Sequence, residues 1–302
     1  MRVNYRQRVS ESIFNTVNIT FFVIFTLICI FPFYYLFINT ISDNSLVQRG
    51  LINFIPAGVH FDNYLKLTDV QDLMASFLVS VSRTILGTAL TVVASAFVGY
   101  LMTKQQLWRR KIWYRLMVIT MYFNAGIIPW FLNMQMLGLT NNFMAYVIPG
   151  VINVFNIIMV KTYIESIPKE MEESAAVDGA SFGTVFRKII WPLSKPILAT
   201  IAVWSAVSNW NSVIDSLILM SARPELYTLQ HRLWIYLNTT SNLSALMSTN
   251  TTAVSQSVIE GALNAKVIKY TIAMVTAIPV LLVYPFAQRY FEKGIMLGAV
   301  KG

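Results

Sequence analysis

The sequence predicts an all-α membrane protein with six transmembrane helices, and three observations carry that prediction. Of its 302 residues 56% are hydrophobic and only 12% are charged, where a soluble domain carries roughly a quarter. Charge-free runs cover 12–42, 84–103, 116–160, 196–214 and 270–288, and about 20 apolar residues span a hydrocarbon core. Lysine and arginine gather in alternate connecting segments, as basic residues retained on one side of a bilayer do.

Residues 1–16 read as a basic, amphiphilic lead-in whose arginines sit at lipid head groups. The first span is expected near 17–40 and is followed by an outside segment to 75, where Phe54-Ile55-Pro56-Ala57-Gly58 marks a turn before an interfacial helix around Phe61-Asp62-Asn63-Tyr64. The second span is expected near 76–102. The run 116–160 is long enough for two, near 113–135 and 143–163, divided at Gly138-Leu139-Thr140-Asn141-Asn142 because Gly and Asn accept tight-turn backbone angles. The fifth span is expected near 197–221. Residues 222–267, with their Asn- and Thr-rich stretches, are too polar to cross, and the sixth span is expected near 268–290. A core domain of 76–290 follows, holding a polar loop at 164–196, with a tail at 291–302.

Sixteen of the basic residues fall in the lead-in, the segment around 104–115, the 161–195 loop and the tail; six fall on the opposite side, and Arg83 stands at the outer end of span two. Both termini and the 164–196 loop are therefore expected in the cytoplasm. The net charge of +9 is a topology signal beside membrane spans, not the basic, aromatic-studded face that nucleic-acid binding needs. The first apolar run is too long for a signal peptide. The single cysteine, Cys29, permits no intrachain disulfide and reads as a small apolar residue. His60 and His231 lie far apart in outside loops, where surface histidines are the default.

The loop ESIPKEMEESAAVDGASFGTVFRKIIWPLSKP, residues 165–196, is a charged island in an oily chain. Pro168 opens a helix that ends at Asp178-Gly179, and a second, amphipathic helix sets Phe182, Val185, Phe186, Ile189 and Ile190 opposite Arg187 and Lys188 before stopping at Trp191-Pro192. Two short helices about a glycine turn make a knob. Its carboxylates suit a protein partner better than an anionic leaflet.

The order Glu173, Ala175, Gly179, Ile189 and Pro192 resembles the loop of the membrane-spanning subunits of binding-protein-dependent ABC importers. Ser174 stands where that family usually has Ala, and Trp191 where it has Leu. Phe31-Pro32-Phe33-Tyr34, Leu193-Ser194-Lys195-Pro196, Asn209-Trp210-Asn211-Ser212 and the ending from Gln288 to Gly302 resemble its carbohydrate-uptake branch, including permeases for oligosaccharides and for alginate. The resemblance implies a heterodimer with a second, homologous permease in the bacterial cell membrane. It further implies two ATPase subunits that hold ATP and Mg, an extracytoplasmic solute-binding protein, and a sugar substrate. It makes Glu172, Glu173, Ala175, Asp178, Gly179, Phe182 and Phe186 candidates for coupling to the ATPase.

This chain has no phosphate-cradling GxxxxGK[ST] loop, no GxGxxG and no HExxH, so no cofactor is expected on it and the nucleotide chemistry belongs to another chain. No nucleophile–base set points to an enzyme. Polar groups inside spans face a bundle interior or a water-filled path, which makes Asn124, Asn153, Asn156, Asn209, Trp210, Asn211 and Asp215 candidates for lining the sugar path. Helix-to-helix hydrogen bonding is the competing reading for the same residues. Gly126 and Pro129, Pro149 and Gly150, and Pro279 interrupt spans three, four and six. A permease for a non-sugar solute would keep the knob; a secondary transporter would need carboxylates in several spans.

Overall fold

A computed structural model describes residues 5–67, 72–238, 266–285 and 288. The expected tail at 291–302, its basic residues Arg289, Lys293 and Lys301, and most of the polar segment 222–267 lie outside the described residues. No strand occurs among those described, and the regular elements are helices. Helix α1 runs from Tyr5 to Thr40 with no break near residue 16, so the lead-in and the first span are one rod. Two short helices follow, α2 (Asn44–Gln48) and α3 (Asp62–Lys66). Then come α4 (Leu73–Leu101), α5 (Arg110–Tyr122), α6 (Ile127–Met136), α7 (Val154–Glu165), α8 (Glu170–Val177), α9 (Phe182–Val185), α10 (Trp191–Leu193), α11 (Lys195–Asn211) and α12 (Ile214–Leu219). The last, α13, is Lys266–Pro285.

Among the described residues α1, α4 and α13 are long and apolar enough to cross a membrane unaided. Two pairs reach that length only when joined across a bend, Phe143–Gly150 with Val154–Glu165 at 42° and Phe182–Leu193 with Lys195–Asn211 at 77°. The interruption expected in span three at Gly126 is present, whereas the expectation of a single span at 197–221 is corrected. Span three is two helices separated at Phe123–Gly126, because Gly126 takes a left-handed φ of +88° and Asn124 Oδ1 accepts its amide at 2.9 Å. The helix of span five ends at Asn211, where Ser212 turns extended and α12 begins afresh.

The chain divides into two compact units. In the smaller, residues 1–70 and 236–275, a cluster of Ile38, Val47, Ile52 and Val267 forms the core. Asn63 ties the segment after α1 down by donating to Thr40 O and Asn44 Oδ1, both at 2.9 Å, and Asp43 caps α2. Hydrogen bonds from Ser45 and from the α2 amides pull the Asp43 carboxyl below the usual carboxylate range.

The larger unit is built round α4. Its buried face repeats small residues, Ser76, Ser80, Gly87, Thr91, Ser95 and Gly99, with Arg83 among them. Such a stripe lets helix backbones approach closely. A Cβ on Gly99 would sit 2.9 Å from Val160 Cγ1 of α7, and one on Gly87 would sit 3.0 Å from the Asn209 amide of α11. Ala96, Tyr100, Val160, Ile164, Val185, Ile190, Ile197, Leu198 and Ile201 close one core cluster. Met134, Leu139, Tyr146, Leu219 and Met220 close another, across the Gly138–Asn142 turn.

Candidate functional site

The knob forms as two helices about Gly179. Glu170, Glu172 and Glu173 crowd the first turn of α8, where the helix dipole favours negative charge. At its other end the Ala180 amide bonds to Ala175 O at 2.9 Å and the Gly179 amide to Ala176 O at 3.1 Å. That pairing caps a helix through a left-handed residue, and Gly179 supplies it with φ +76°. Ser181 then caps α9, its Oγ accepting the Thr184 amide. The second helix ends at Leu193, one residue beyond the Trp191-Pro192 stop its sequence suggests, and the chain bends by 77° into α11. A wider turn over Phe186–Ile190, with the Trp191 amide bonded to Phe186 O, carries the chain past Pro192 to Leu193. The wider turn moves carbonyls away from the proline ring that would otherwise break the helix.

The coupling candidates fall into two groups. Phe182, Phe186 and Glu172 contact α4, although Phe182 keeps 41% exposure: Tyr100 of α4, 1% exposed, stacks on Phe182 at 4.7 Å and on Phe186 at 5.5 Å. Lys104 lies 4.1 Å above the same tyrosine ring and is ion-paired with Glu172. Ala175 is half-buried against the core cluster and Val185 belongs to it. Glu173, Asp178 and Gly179 stay exposed. Two apolar side chains join them that the sequence reading passed over, Val177 at 88% exposure and Met171 at 46%. Both belong to an acidic helix of low amphipathicity; the one signal for Val177 was its position beside the glycine turn, and Met171, in the first turn of α8, had none. Glu173 also borders a cleft of about 570 Å³ between α8 and the segment Thr103–Arg110.

The run Ser208 to Asn211 is split by helix geometry. At 100° per residue, positions 204, 208 and 211 share a face. Trp204, Ser208 and Asn211, with Val280 and Tyr284 of α13, line an open cleft of about 670 Å³. Trp204 stacks on Phe155 at 5.8 Å. Asn209 and Trp210 are not on that face. The Trp210 indole is buried, its Nε1 donating to Thr276 O at 2.9 Å, and Asn209 donates to Ser205 O at 2.9 Å. Asn153 caps α7 by accepting the Asn156 amide, Asn156 is buried in that helix, and Asn124 sits exposed in the α5–α6 break. Helical periodicity read at residue 208 would have found Trp204.

Asp215 joins a polar network. Arg83, 2% exposed, pairs with its carboxylate, donates to Ser212 O at 3.3 Å and lies 4.5 Å over the Tyr146 ring. Tyr146 Oη donates to Leu226 O at 2.7 Å and stands 2.8 Å from Ser216 Oγ, which is also 2.8 Å from His231 Nδ1. His231 is therefore not the surface histidine its loop position suggests. It is 5% exposed, and burial, with Arg232 beside it, pushes its pKa down to about 4. Arg232 in turn bonds Ser76 Oγ at 3.1 Å and Asp72 at 3.2 Å. No group of three or more His, Cys, Asp or Glu able to hold a metal occurs among the described residues.

Residues 92–297 match the family described as the binding-protein-dependent transport system inner membrane component. The chain is 34% identical over 284 residues to the polygalacturonan/rhamnogalacturonan transport system permease protein YtcP of Bacillus subtilis, covering 93% of this chain and 96% of that one. It is 32% identical to Protein LplC of the same organism, over 96% of this chain and 95% of its relative. A crystal structure of a bacterial ABC transporter involved in the import of the acidic polysaccharide alginate contains a chain that superposes with a TM-score of 0.83 at 30% identity, over 96% of this chain and all of that one. Family match, relatives aligned over most of their length and superposition agree with one another. The chain is a membrane protein and belongs to the binding-protein-dependent transport inner membrane family.

Proposed function

We propose that this chain is the permease subunit of an ATP-driven importer that passes an oligosaccharide from an extracytoplasmic binding protein into the cytoplasm. The observation that carries the reading is the knob: two capped helices about Gly179 presenting Glu170, Glu173, Asp178, Met171 and Val177 to the outside. An apolar tip ringed by carboxylates is suited to a basic groove on an ATPase domain, with the apolar contact at the centre and charge at the rim. ATP and Mg belong to that partner, and a second permease completes the path. The termini and knob face the cytoplasm in this reading, following the lysine and arginine distribution.

The cleft of Trp204, Ser208, Asn211 and Tyr284 is the stretch of path this subunit contributes. Aromatic faces cover apolar sugar faces while an amide and a hydroxyl bond to sugar hydroxyls. No carboxylate lines it among the described residues, which suits an acidic sugar such as those in the names of the polygalacturonan and alginate systems.

Proteoliposomes holding this chain, its partner permease, ATPase and binding protein test the reading with a galacturonate oligosaccharide as cargo. ATP-dependent uptake is expected, and Gly179→Pro is expected to abolish both uptake and ATPase retention, since proline cannot take the φ of +76° at that turn. Uptake that persists without ATP would return the chain to the secondary-transporter reading.

A further inference from the structure

We propose that Tyr100, with the Lys104–Glu172 ion pair, is the joint through which the knob moves α4; this rests on the reading that the knob docks an ATPase. The chain path ties the knob to α7 and α11, the helices that enter and leave it. Its bond to α4 is made by side chains instead, and both arms of the knob make it at the same end of that helix. From α8, Glu172 pairs with Lys104, and its Oε2 lies 3.5 Å from Tyr100 Oη. From α9 and the wide turn that follows, Phe182 and Phe186 stack on the Tyr100 ring. Phe186 also meets Phe97, one turn back along α4, edge-on at 5.7 Å.

This arrangement is more than core filling. Tyr100 is 1% exposed, its ring stacked on Phe182 and Phe186 of the second knob helix and its Oη 3.5 Å from Glu172 of the first, so displacing the second helix presses on the ring and displacing the first pulls on the ion pair beside it. Close-packed interiors transmit such displacement because they have no free volume to absorb it. The ion pair adds what stacked rings lack, resistance to sliding along the ring plane. At 19% and 26% side-chain exposure its partners are also accessible to reversal of charge without opening the core. Helix α4, 29 residues long, spans about 43 Å at 1.5 Å per residue. At its far end it carries Arg83 and Ser80, so a shift at Tyr100 reaches the Asp215 network as a rigid-body motion. Tyr100 and the pair are positioning residues, and α4 is the element they position.

The complete importer, reconstituted as above, is assayed for ATPase retention, ATP hydrolysis and galacturonate oligosaccharide taken up per ATP. Lys104→Glu is expected to keep the ATPase bound and hydrolysing while uptake per ATP falls at least tenfold. The exchange Lys104→Glu with Glu172→Lys is expected to recover it to within about twofold. Tyr100→Phe, which keeps the stack, is expected to behave as wild type and Tyr100→Leu as the uncoupled variant. A second readout is independent of the sugar. Spin labels at Lys188→Cys on the knob and Leu78→Cys on α4, in a Cys29→Ala background, are expected to keep one distance with and without a non-hydrolysable ATP analogue, and to change distance with the analogue once Lys104→Glu is added. Unchanged uptake per ATP in both Lys104→Glu and Tyr100→Leu, or a label distance that shifts with the analogue while the pair is intact, overturns the joint. Loss of the ATPase from the Lys104→Glu complex overturns it as well, by making Lys104 a docking residue. Absence of ATP-dependent uptake in the unaltered complex, with the label distances as expected, counts against the sugar importer reading instead.

Discussion

The two ends of α4 are held by different chemistry. Near Leu73 the helix is fixed by directional polar bonds: Arg83 to Asp215, Ser80 Oγ accepting the Leu229 amide at 2.8 Å, and Arg232 to Ser76. Near Leu101 it is held by one tyrosine ring stacked on two phenylalanines and by one partly exposed ion pair. Buried hydrogen-bond networks have one good geometry and lose heavily when it is disturbed. Stacked rings change energy gradually as they slide. One end is built to stay in register and the other to accept a push, so a mechanical input belongs at the tyrosine end.

Breaking the buried pair should have the largest effect. Asp215→Ala leaves the Arg83 guanidinium, 2% exposed, without its counter-charge, a loss on the order of 3–5 kcal/mol. Thermal unfolding in detergent is expected to show a large fall in Tm or no folded protein. The double change Arg83→Met with Asp215→Leu should recover much of it, since a well-packed apolar pair avoids the desolvation cost. At the other end Lys104→Ala should cost less, about 1 kcal/mol, because Lys104 and Glu172 keep 19% and 26% side-chain exposure. Equal losses at both ends would remove the distinction between a fixed and a yielding end.

Close packing of α4 on α7 gives the next effect. Gly99→Ala drives a methyl to 2.9 Å from Val160 Cγ1, and Val160 is fully buried. A valine in a helix has essentially one rotamer to offer, so the helices must part, at about 1–3 kcal/mol. The same unfolding measurement is expected to show a smaller loss for Gly87→Ala, where the neighbour at 3.0 Å is the end of the Asn209 side chain.

Acid should loosen the Leu73 end selectively. His231 is held neutral, its pKa pushed down to about 4 by burial first and Arg232 second, against about 6.5 in an unfolded chain. Between those values the unfolded chain binds the proton that the folded one refuses. The stabilisation is complete above pH 6.5 and is lost as pH falls towards 4, by about 1.4 kcal/mol one unit below the unfolded value. Limited proteolysis of 212–232 is expected to accelerate at pH 5 relative to pH 7.5 in the parent, and to lose that pH dependence in His231→Asn.

What the sequence made legible is what local geometry decides. The knob is readable because Gly179 and Ser181 set their own caps and Asn141 and Gly138 their own turn, each within five residues. The bound sites were harder. Asn209, Trp210 and Asn211 are consecutive letters, yet a helix sends them to different faces, and which face meets a cleft depends on α13. Arg83 and Asp215 are 132 positions apart, so their pairing has no local signature, and the burial of His231 depends on Ser216, 15 positions away, as well as on Tyr227 and Trp234. The breaks at Gly126 and Gly150 were visible as interruptions. The wide turn over Phe186–Ile190 was not, because it leaves no compositional trace.

The smallest effect lies at the root of the knob. Lys161 and Glu165 of α7 pair at 2.7 Å with side-chain exposures of 16% and 44%, and Lys161 Nζ also lies 4.9 Å from the Tyr114 ring of α5. A pair at i,i+4 contributes about 0.3–0.5 kcal/mol, and lysine ahead of glutamate is the weaker order. Glu165→Gln removes the pair and keeps the ring contact, so it should leave Tm almost unmoved. Lys161→Met removes the charge from both and should cost slightly more, through the α5 contact rather than the salt bridge. If Glu165→Gln instead rivals Gly99→Ala, the polar bonds at this end are as binding as those at Arg83, and the yielding character assigned to it must come from the aromatic stack alone.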